Sequence, residues 1–391
     1  MRNLEYRVIS VVTARRNWIV LAVASILGLW ARLSGFDFIS GDLKYFLIPW
    51  YEEMSQHGLA SLSSQVGDYN LLYQTVIALM TYVDVDCVVG YKTLSVIFDY
   101  VLAVAAGLLA CEITGKKPGD GLFCVVYTVV LFLPTVVLNS AWWGQCDAMY
   151  TSVLVLMLWR ILKGKHLSAF VLLGVAFTCK LQAIFILPFL ICWYFYKKHF
   201  TAGWFVVSIM VFWASGIVAF FYGRSLLEPF KIYLYQLNEY AKMYMNFPSF
   251  WMILGGSYQQ LKQYAIIVAL ILCGLTLYLV MSGRYKPDSK EKAMALAAHL
   301  AWTCLLFLPS MHDRYGYLLD ILLVILAFAN RQYLKYAAVA LFASLYAYGV
   351  YLFKIESFTL WLAVLYLAGW GHMAYMLLKN EEEARKSLMG N

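Results

Sequence analysis

Carboxylates, cations and amides gather in a few short polar stretches of a very apolar chain, and these stretches hold its candidate chemistry. The first is SGDLKYFLIPWYEEMSQHGLASLSSQVGDYNLLY, residues 40–73, with Asp42, Glu52, Glu53 and Asp68 among Tyr45, Trp50, Tyr51 and Tyr69. A carboxylate such as Asp42 can take a proton from an attacking hydroxyl as a general base. It can equally be a helix cap, since Ser40 or Asp42 precedes the amphipathic run of Leu43, Phe46, Leu47, Trp50 and Met54 and could accept its first backbone N–H groups. Gly67-Asp68 has turn chemistry, yet Asp68 and Tyr69 are also candidate substrate contacts. Glu52-Glu53 reads as a solvated face, and Asp84 with Asp86 lacks the third ligand a metal site would need.

Three further constellations follow. In WWGQCDAMY (142–150), Trp142 and Trp143 fit an interfacial aromatic belt. Gln145 and Asp147 sit at a span entrance, where polar groups tend to face an interior cavity, although Asp147 could simply cap the span. TCKLQA (178–183) divides a hydrophobic stretch at Lys180 and Gln182; the lysine either snorkels from a hairpin turn or points into a cavity and binds an anion. SMHDRYGY (310–317) matches a capping box at Ser310 and Asp313, which would set a helix N-terminus beside His312 and Arg314. Helix N-termini favour anions, and arginine binds phosphate bidentately.

Other polar groups lie deeper. Asp320 is expected to pair with a cation, because a charge inside a membrane costs about 2.5–3.5 kcal/mol on insertion scales. Lys92 and Asp99 share a helix face but stand about 10 Å apart, so each needs a partner on another helix. NEYAKMYMNFPSFW (238–251) offers Asn246 and Trp251 as a groove lining or an interfacial anchor.

What must position these residues is a membrane frame. Hydrophobic residues make up 63% of the 391 and charged residues 13%, against roughly half and a quarter in soluble domains. The expected fold is therefore an all-α polytopic membrane protein forming one transmembrane domain over 1–391. Segments long or apolar enough to span are 17–34, 89–111, 121–139, 147–162, 167–180, 181–196, 201–222, 263–281, 293–309, 314–330, 336–353 and 357–378, about twelve transmembrane helices. With both termini in the cytoplasm, the inner segments collect 20 of the 30 basic residues, including Lys197-Lys198, as the positive-inside bias requires. The extracytoplasmic side then holds a first loop (35–88) with interfacial helices, 71–83 among them, and a second polar segment (223–262). Short turns at 140–147 and 309–315 complete that face. The +8 charge reflects this orientation, so no nucleic-acid partner is expected. No P-loop or strand-based GxGxxG is present. The eight cysteines form no CxxC pair and read as small core residues. Arg15-Arg16 precede a full-length span without a small-residue cleavage site, so no removable signal peptide is expected.

Taken in order, SGDLKYFLIPW, GDYNLLY, YKTLSVIFDY, WWGQCDAMY, FTCKLQAIFILP, NFPSFW and LPSMHDRYGYLLDIL resemble the GT-C superfamily of polytopic glycosyltransferases. Within it the chain is similar to bacterial relatives of the GPI mannosyltransferase and of the endoplasmic-reticulum dolichyl-phosphate-glucose glucosyltransferases. The resemblance covers most of residues 17–330. It implies a polyprenyl-phosphate sugar donor, a glycan or lipid-linked acceptor, and inverting transfer on the extracytoplasmic face of a bacterial cytoplasmic membrane. It further implies a catalytic aspartate at Asp42, a second acidic position at Asp147, and a donor phosphate held by His312 and Arg314. Where the eukaryotic glucosyltransferases carry a DYPPL-like element this chain has GDYNLLY, which leaves mannose or glucose, and the acceptor, open.

The expected mechanism has Asp42 removing the acceptor proton as the hydroxyl attacks the sugar C1. Arg314, His312, Lys180 and the helix N-terminus would stabilise the leaving phosphate, while the polyprenyl tail leaves sideways among membrane lipids. Asp68, Tyr69, Trp143, Gln145, Gln182, Asn246 and Trp251 are the expected substrate contacts. No cofactor or obligatory metal is expected; activity lost in EDTA and restored by Mn²⁺ or Mg²⁺ would contradict that. Two other classes compete. A flippase or other transporter of lipid-linked saccharide would tend to show repeated halves, and none is visible. A polysaccharide polymerase or ligase would share the outer site but take a lipid-linked oligosaccharide.

Overall fold

The computed structural model describes residues 2–197, 200–356 and 360–389. Residues 357–359, where the last expected span begins, and Lys198 of the basic tally lie outside the described residues. The chain opens with α1 (Arg2–Leu33), and a turn leads to the wide π-type turn Leu43–Leu47, α2 (Ile48–His57) and α3 (Leu71–Met80). Next come α4 (Cys87–Thr114), α5 (Gly121–Phe132), α6 (Pro134–Val137), a second π-type turn Leu138–Trp142, α7 (Asp147–Leu162) and α8 (His166–Cys179). A 3₁₀ turn, Leu181–Ile186, leads into α9 (Leu187–Lys197), then α10 (Gly203–Ala214), α11 (Ile217–Phe221), α12 (Glu228–Glu239) and α13 (Phe250–Leu254). The remainder is α14 (Tyr258–Met281), α15 (Lys290–Phe307), α16 (Tyr317–Ala329), α17 (Leu334–Phe353) and α18 (Leu360–Met389). Strands β1 (Tyr244–Met245) and β2 (Met311–His312) pair in parallel, a feature with no counterpart in the sequence reading.

The fold is all-α and that of a multi-pass membrane protein, and each of the twelve expected segments contains helix. Among the described residues five helices are long and apolar enough to cross a bilayer, or six if the bent pair at 121–142 is one span. Several of the other segments fall short. At 14 residues α8 rises about 21 Å, against a hydrocarbon core of about 30 Å. The reason is visible at their ends: α7 begins at Asp147, α8 stops before Lys180 and α16 starts at Tyr317, all around one cavity. The 51° bend after α5 falls at Pro134, which lacks the N–H to continue the helical ladder. Helix α3 has 10 residues, about 15 Å, too short to span, which fits a helix lying at the interface rather than crossing it.

Side-chain caps fix the starts of α3 and α4. Asp86 is the N-cap of α4, its Oδ1 accepting from the Val88 and Val89 amides at 2.9 and 3.1 Å. Asn70 caps α3 through Leu71 N and donates to Pro229 O of α12, tying the first loop to the second polar segment.

Lys92 and Asp99 of α4 find partners elsewhere, as their spacing requires. Lys92 donates to the Gly35, Phe36 and Phe38 carbonyls at 2.8, 2.9 and 2.5 Å, clamping the turn that leaves α1. Asp99 takes Arg32 Nε at 2.7 Å and Ser140 Oγ at 2.5 Å, while the other guanidinium nitrogens reach the Gly28 and Leu131 carbonyls. Arg32 and Asp99 are both fully buried. Removing one partner of such a pair strands a charge, so Arg32→Met should cost about 3–5 kcal/mol. The Arg32→Met, Asp99→Leu double variant should recover most of that loss, because two apolar side chains leave no stranded charge. Thermal unfolding in detergent reads both, and a double variant as unstable as the single would contradict the expectation.

Asp320 departs from its expected role. It is buried on α16 with neither carboxylate oxygen hydrogen-bonded, and no cation partners it among the described residues. Its neighbour is the Ser344 hydroxyl of α17; Arg32 of α1 and Lys92 of α4 are already committed to Asp99 and the Gly35–Phe38 turn.

Candidate active site

The chain ends its helices around one cavity of about 300 Å³. Asp42, Asp68, Tyr69, Gln145, Lys180, Gln182, Asn246, His312 and Arg314 all line it, so residues from five separate segments meet there.

Asp42 is not a cap. Ser40 takes that role, its Oγ accepting from Leu43 N at 3.2 Å and donating to the Trp143 carbonyl at 2.7 Å. The Asp42 carboxylate makes no capping bond and turns instead toward the cavity. Its Oδ2 accepts from Trp143 Nε1 at 3.0 Å and Gln145 Nε2 at 2.5 Å, and its Oδ1 accepts from the Tyr351 hydroxyl of α17. Trp143 stacks on Tyr351 with ring centroids 4.5 Å apart, which fixes both donors. The π-type turns immediately after Asp42 and immediately before Trp143 widen the backbone where these side chains must converge, a common use of such turns.

Opposite lies the cationic wall. Arg314 Nη1 stands 3.4 Å from Asp42 Oδ2, and Arg314 Nε 3.7 Å from Asp147 Oδ2. Its guanidinium carbon lies 5.6 Å from the centre of the Trp143 ring, so one indole braces both the carboxylate and the cation. Burial works against the Arg314 charge, but Asp42 and Asp147 outweigh it and push its pKa above the ordinary value. Lys180 neither snorkels nor stands free: it is 6% exposed and its Nζ meets Asp147 Oδ1 at 2.5 Å. Asp147, far from capping α7, is held by Lys180 and by Asn139 Nδ2 at 2.8 Å.

The SMHDRYGY turn is not a capping box. Ser310 has φ +61°, and its hydroxyl donates to the Tyr240 and Lys242 carbonyls rather than to a helix start. Helix α16 opens three residues after Arg314 without any side-chain cap, so its N-terminus begins just beyond the turn that carries His312 and Arg314. What positions them is the β1–β2 pairing, flanked by Ser310 and by Asn246 at φ +57°. Left-handed non-glycine residues cost about 1–3 kcal/mol each and concentrate at functional sites. His312 is not cationic either: burial first, then Arg314 and Lys180, drive its pKa down to about 3. At neutral pH its ring is an uncharged donor and acceptor, packed against Tyr240 and Tyr315.

Two expected contacts stand apart. Trp251 is buried against Met243 and Ala265, with its Nε1 on the Phe307 carbonyl at 2.8 Å; it anchors α13 and does not reach the cavity. Trp143 meets the cavity only through Asp42 and Arg314. Asp68 lies in the lining with Glu239, Gln236, Trp50 and Tyr240; burial, then Glu239, raises its carboxyl pKa. Gln145 bridges inward, taking the Tyr69 hydroxyl at 3.1 Å.

The sequence profile of glycosyltransferase family 87 matches residues 69–310, more than half of the chain. The chain belongs to that family. No curated protein matches it. As a family 87 member it is a GT-C-type polytopic glycosyltransferase, which takes a sugar from a donor to an acceptor. The matched stretch contributes Tyr69, Asp147, Lys180, Gln182 and Asn246, while Asp42 precedes it and His312 and Arg314 follow it. The two outer flanks are folded back to close the cavity of this glycosyltransferase. Tyr351 and Asp313 were not among the residues expected at the site. Tyr351 sits in an apolar helix with no local signal, and Asp313 was hidden behind its capping-box spacing.

Proposed function

We propose that the protein is an inverting hexosyltransferase that moves mannose or glucose from a polyprenyl-phosphate sugar to a glycan or lipid-linked acceptor on the extracytoplasmic face. The observation that carries this reading is the 3.4 Å approach of Arg314 to Asp42 across one cavity. A proton acceptor and an anion-binding cation this close can serve the attacking and leaving oxygens of a single displacement. Asp42 takes the acceptor hydroxyl proton on Oδ1, which keeps a lone pair beside its one bond from Tyr351. Arg314, with Lys180 behind it and the neutral His312 ring beside it, stabilises the departing phosphate. Trp143, Gln145 and Tyr351 orient the base, and Asp68, Tyr69, Gln182 and Asn246 contact the sugars.

A lipid-linked donor is supported by the cavity volume, at the lower end for small-molecule sites; it suits a monosaccharide and one phosphate better than a whole nucleotide sugar. The basic residues of the short loops support an extracytoplasmic cavity under the positive-inside bias, on a side where nucleotide sugars are not supplied. The test is to incubate purified protein with labelled polyprenyl-phosphate mannose, polyprenyl-phosphate glucose and the corresponding nucleotide sugars, with membrane extract as acceptor source. Label should move from one lipid-linked monosaccharide only. Equal transfer from a nucleotide sugar would overturn the donor assignment, and translocation of intact lipid-linked sugar without transfer would make the protein a flippase.

A further inference from the structure

Three carboxylates crowd the single guanidinium of Arg314. Asp42 lies 3.4 Å, Asp147 3.7 Å and Asp313 3.9 Å from its nitrogens, and Lys180 is already committed to Asp147. With His312 uncharged, the inner end of the cavity holds three potential negative charges against two positive ones before any donor arrives. A polyprenyl-phosphate sugar is a phosphodiester and adds a fourth. Asp42 and Asp147 are each held by hydrogen-bond donors from other segments. Asp313 is held less fully: it is 3% exposed and lines the cavity, Asn246 is its hydrogen-bonding neighbour, and its Oδ1 takes no hydrogen bond.

We infer, resting on the donor proposed above, that Asp313 binds the donor phosphate in its protonated form, its carboxylic O–H donating to a phosphate oxygen beside Arg314. One proton offsets one of those negative charges and converts an acceptor without a hydrogen bond into a donor at the cavity wall. The surroundings favour that proton. Burial, then Asp42 and Asp147, lift the Asp313 pKa to about 7 against the opposing pull of Arg314 and of Asn246. Tyr348 and Tyr351 of α17 are the other titratable groups facing it. A bound phosphodiester brings a further negative charge close by and raises the carboxyl again, so binding takes up a proton. The sign follows: donor affinity is full below pH 7 and falls as pH rises above it, by up to about tenfold per pH unit. His312, down near 3, does not titrate in this range.

The experiment uses the full-length protein with a short-chain polyprenyl-phosphate mannose and the matching glucose compound, whose phosphodiesters do not themselves titrate between pH 6 and 9. Calorimetry in buffers of different ionisation enthalpy should show uptake approaching one proton per donor bound near pH 8. In Asp313→Asn, a permanently neutral isostere, the donor KM should lose its rise between pH 7 and 9. Donor binding without proton uptake in the wild-type protein overturns the role of Asp313 and leaves the donor assignment standing. An Asp313→Asn variant whose donor KM climbs with pH as steeply as wild type overturns it as well. If neither compound binds, the donor assignment fails and this inference with it.

Discussion

Asp42→Asn should lower the rate of sugar transfer by about 10²–10⁴-fold, the usual contribution of a positioned general base, and leave donor binding largely in place. The amide keeps the shape of the carboxylate, and its oxygen can still accept from Trp143 Nε1 and Gln145 Nε2, the two donors now on Asp42 Oδ2. The lost capacity is proton acceptance from the incoming hydroxyl. Arg314 also keeps its second partner, Asp147, so the cationic wall survives the change. Single-turnover transfer with preloaded donor isolates the chemical step. Full-rate transfer by the variant would remove Asp42 from the base role.

Arg314 should be the other position of large effect, for a different reason. Arg314→Met removes the cation that Asp42 and Asp147 share and the group placed to balance the leaving phosphate. A loss of about 10²–10³-fold is expected, as for a preorganised charge-stabilising donor, together with a higher donor KM. It also strips Asp42 of its cation and leaves Lys180 alone to balance Asp147, so the thermal midpoint should drop. Arg314→Lys separates the two effects. A lysine restores the charge and most of the stability but not the planar fork that spans two carboxylates and lies against the Trp143 ring. Its transfer should stay at least tenfold below wild type while its midpoint recovers. Equal recovery of both would mean that Arg314 is only a structural counter-ion.

Much of this was legible before any coordinates. The apolar segments, the break at Lys180, the turn at 140–147 and the partners owed to Lys92 and Asp99 follow from hydrophobic runs and from the cost of burying charge. Local pattern misled where one motif has two uses. Ser310 and Asp313 have capping-box spacing, yet the chain passes through a left-handed residue at 310 and pairs with 244–245; pairing across more than 60 residues leaves no mark in an eight-residue window. Ser40 and Asp42 were interchangeable as caps on sequence alone, and the choice between them fell to Trp143, Gln145 and Tyr351, donors 101 to 309 positions away. His312 looked basic because its composition is basic, and only burial beside Arg314 makes it neutral. Trp251 was the opposite case, an aromatic in a polar outer segment that turns inward to the Phe307 carbonyl.

The most direct measurement is the anomeric configuration of the transferred sugar, read by NMR on product made from a donor of known anomer. A base at Asp42 acting on the acceptor hydroxyl, with Arg314 receiving the phosphate, makes one displacement at C1, so the product should carry the inverted configuration. Retention of the donor configuration would require a glycosyl intermediate on the protein and would contradict the role given to Asp42.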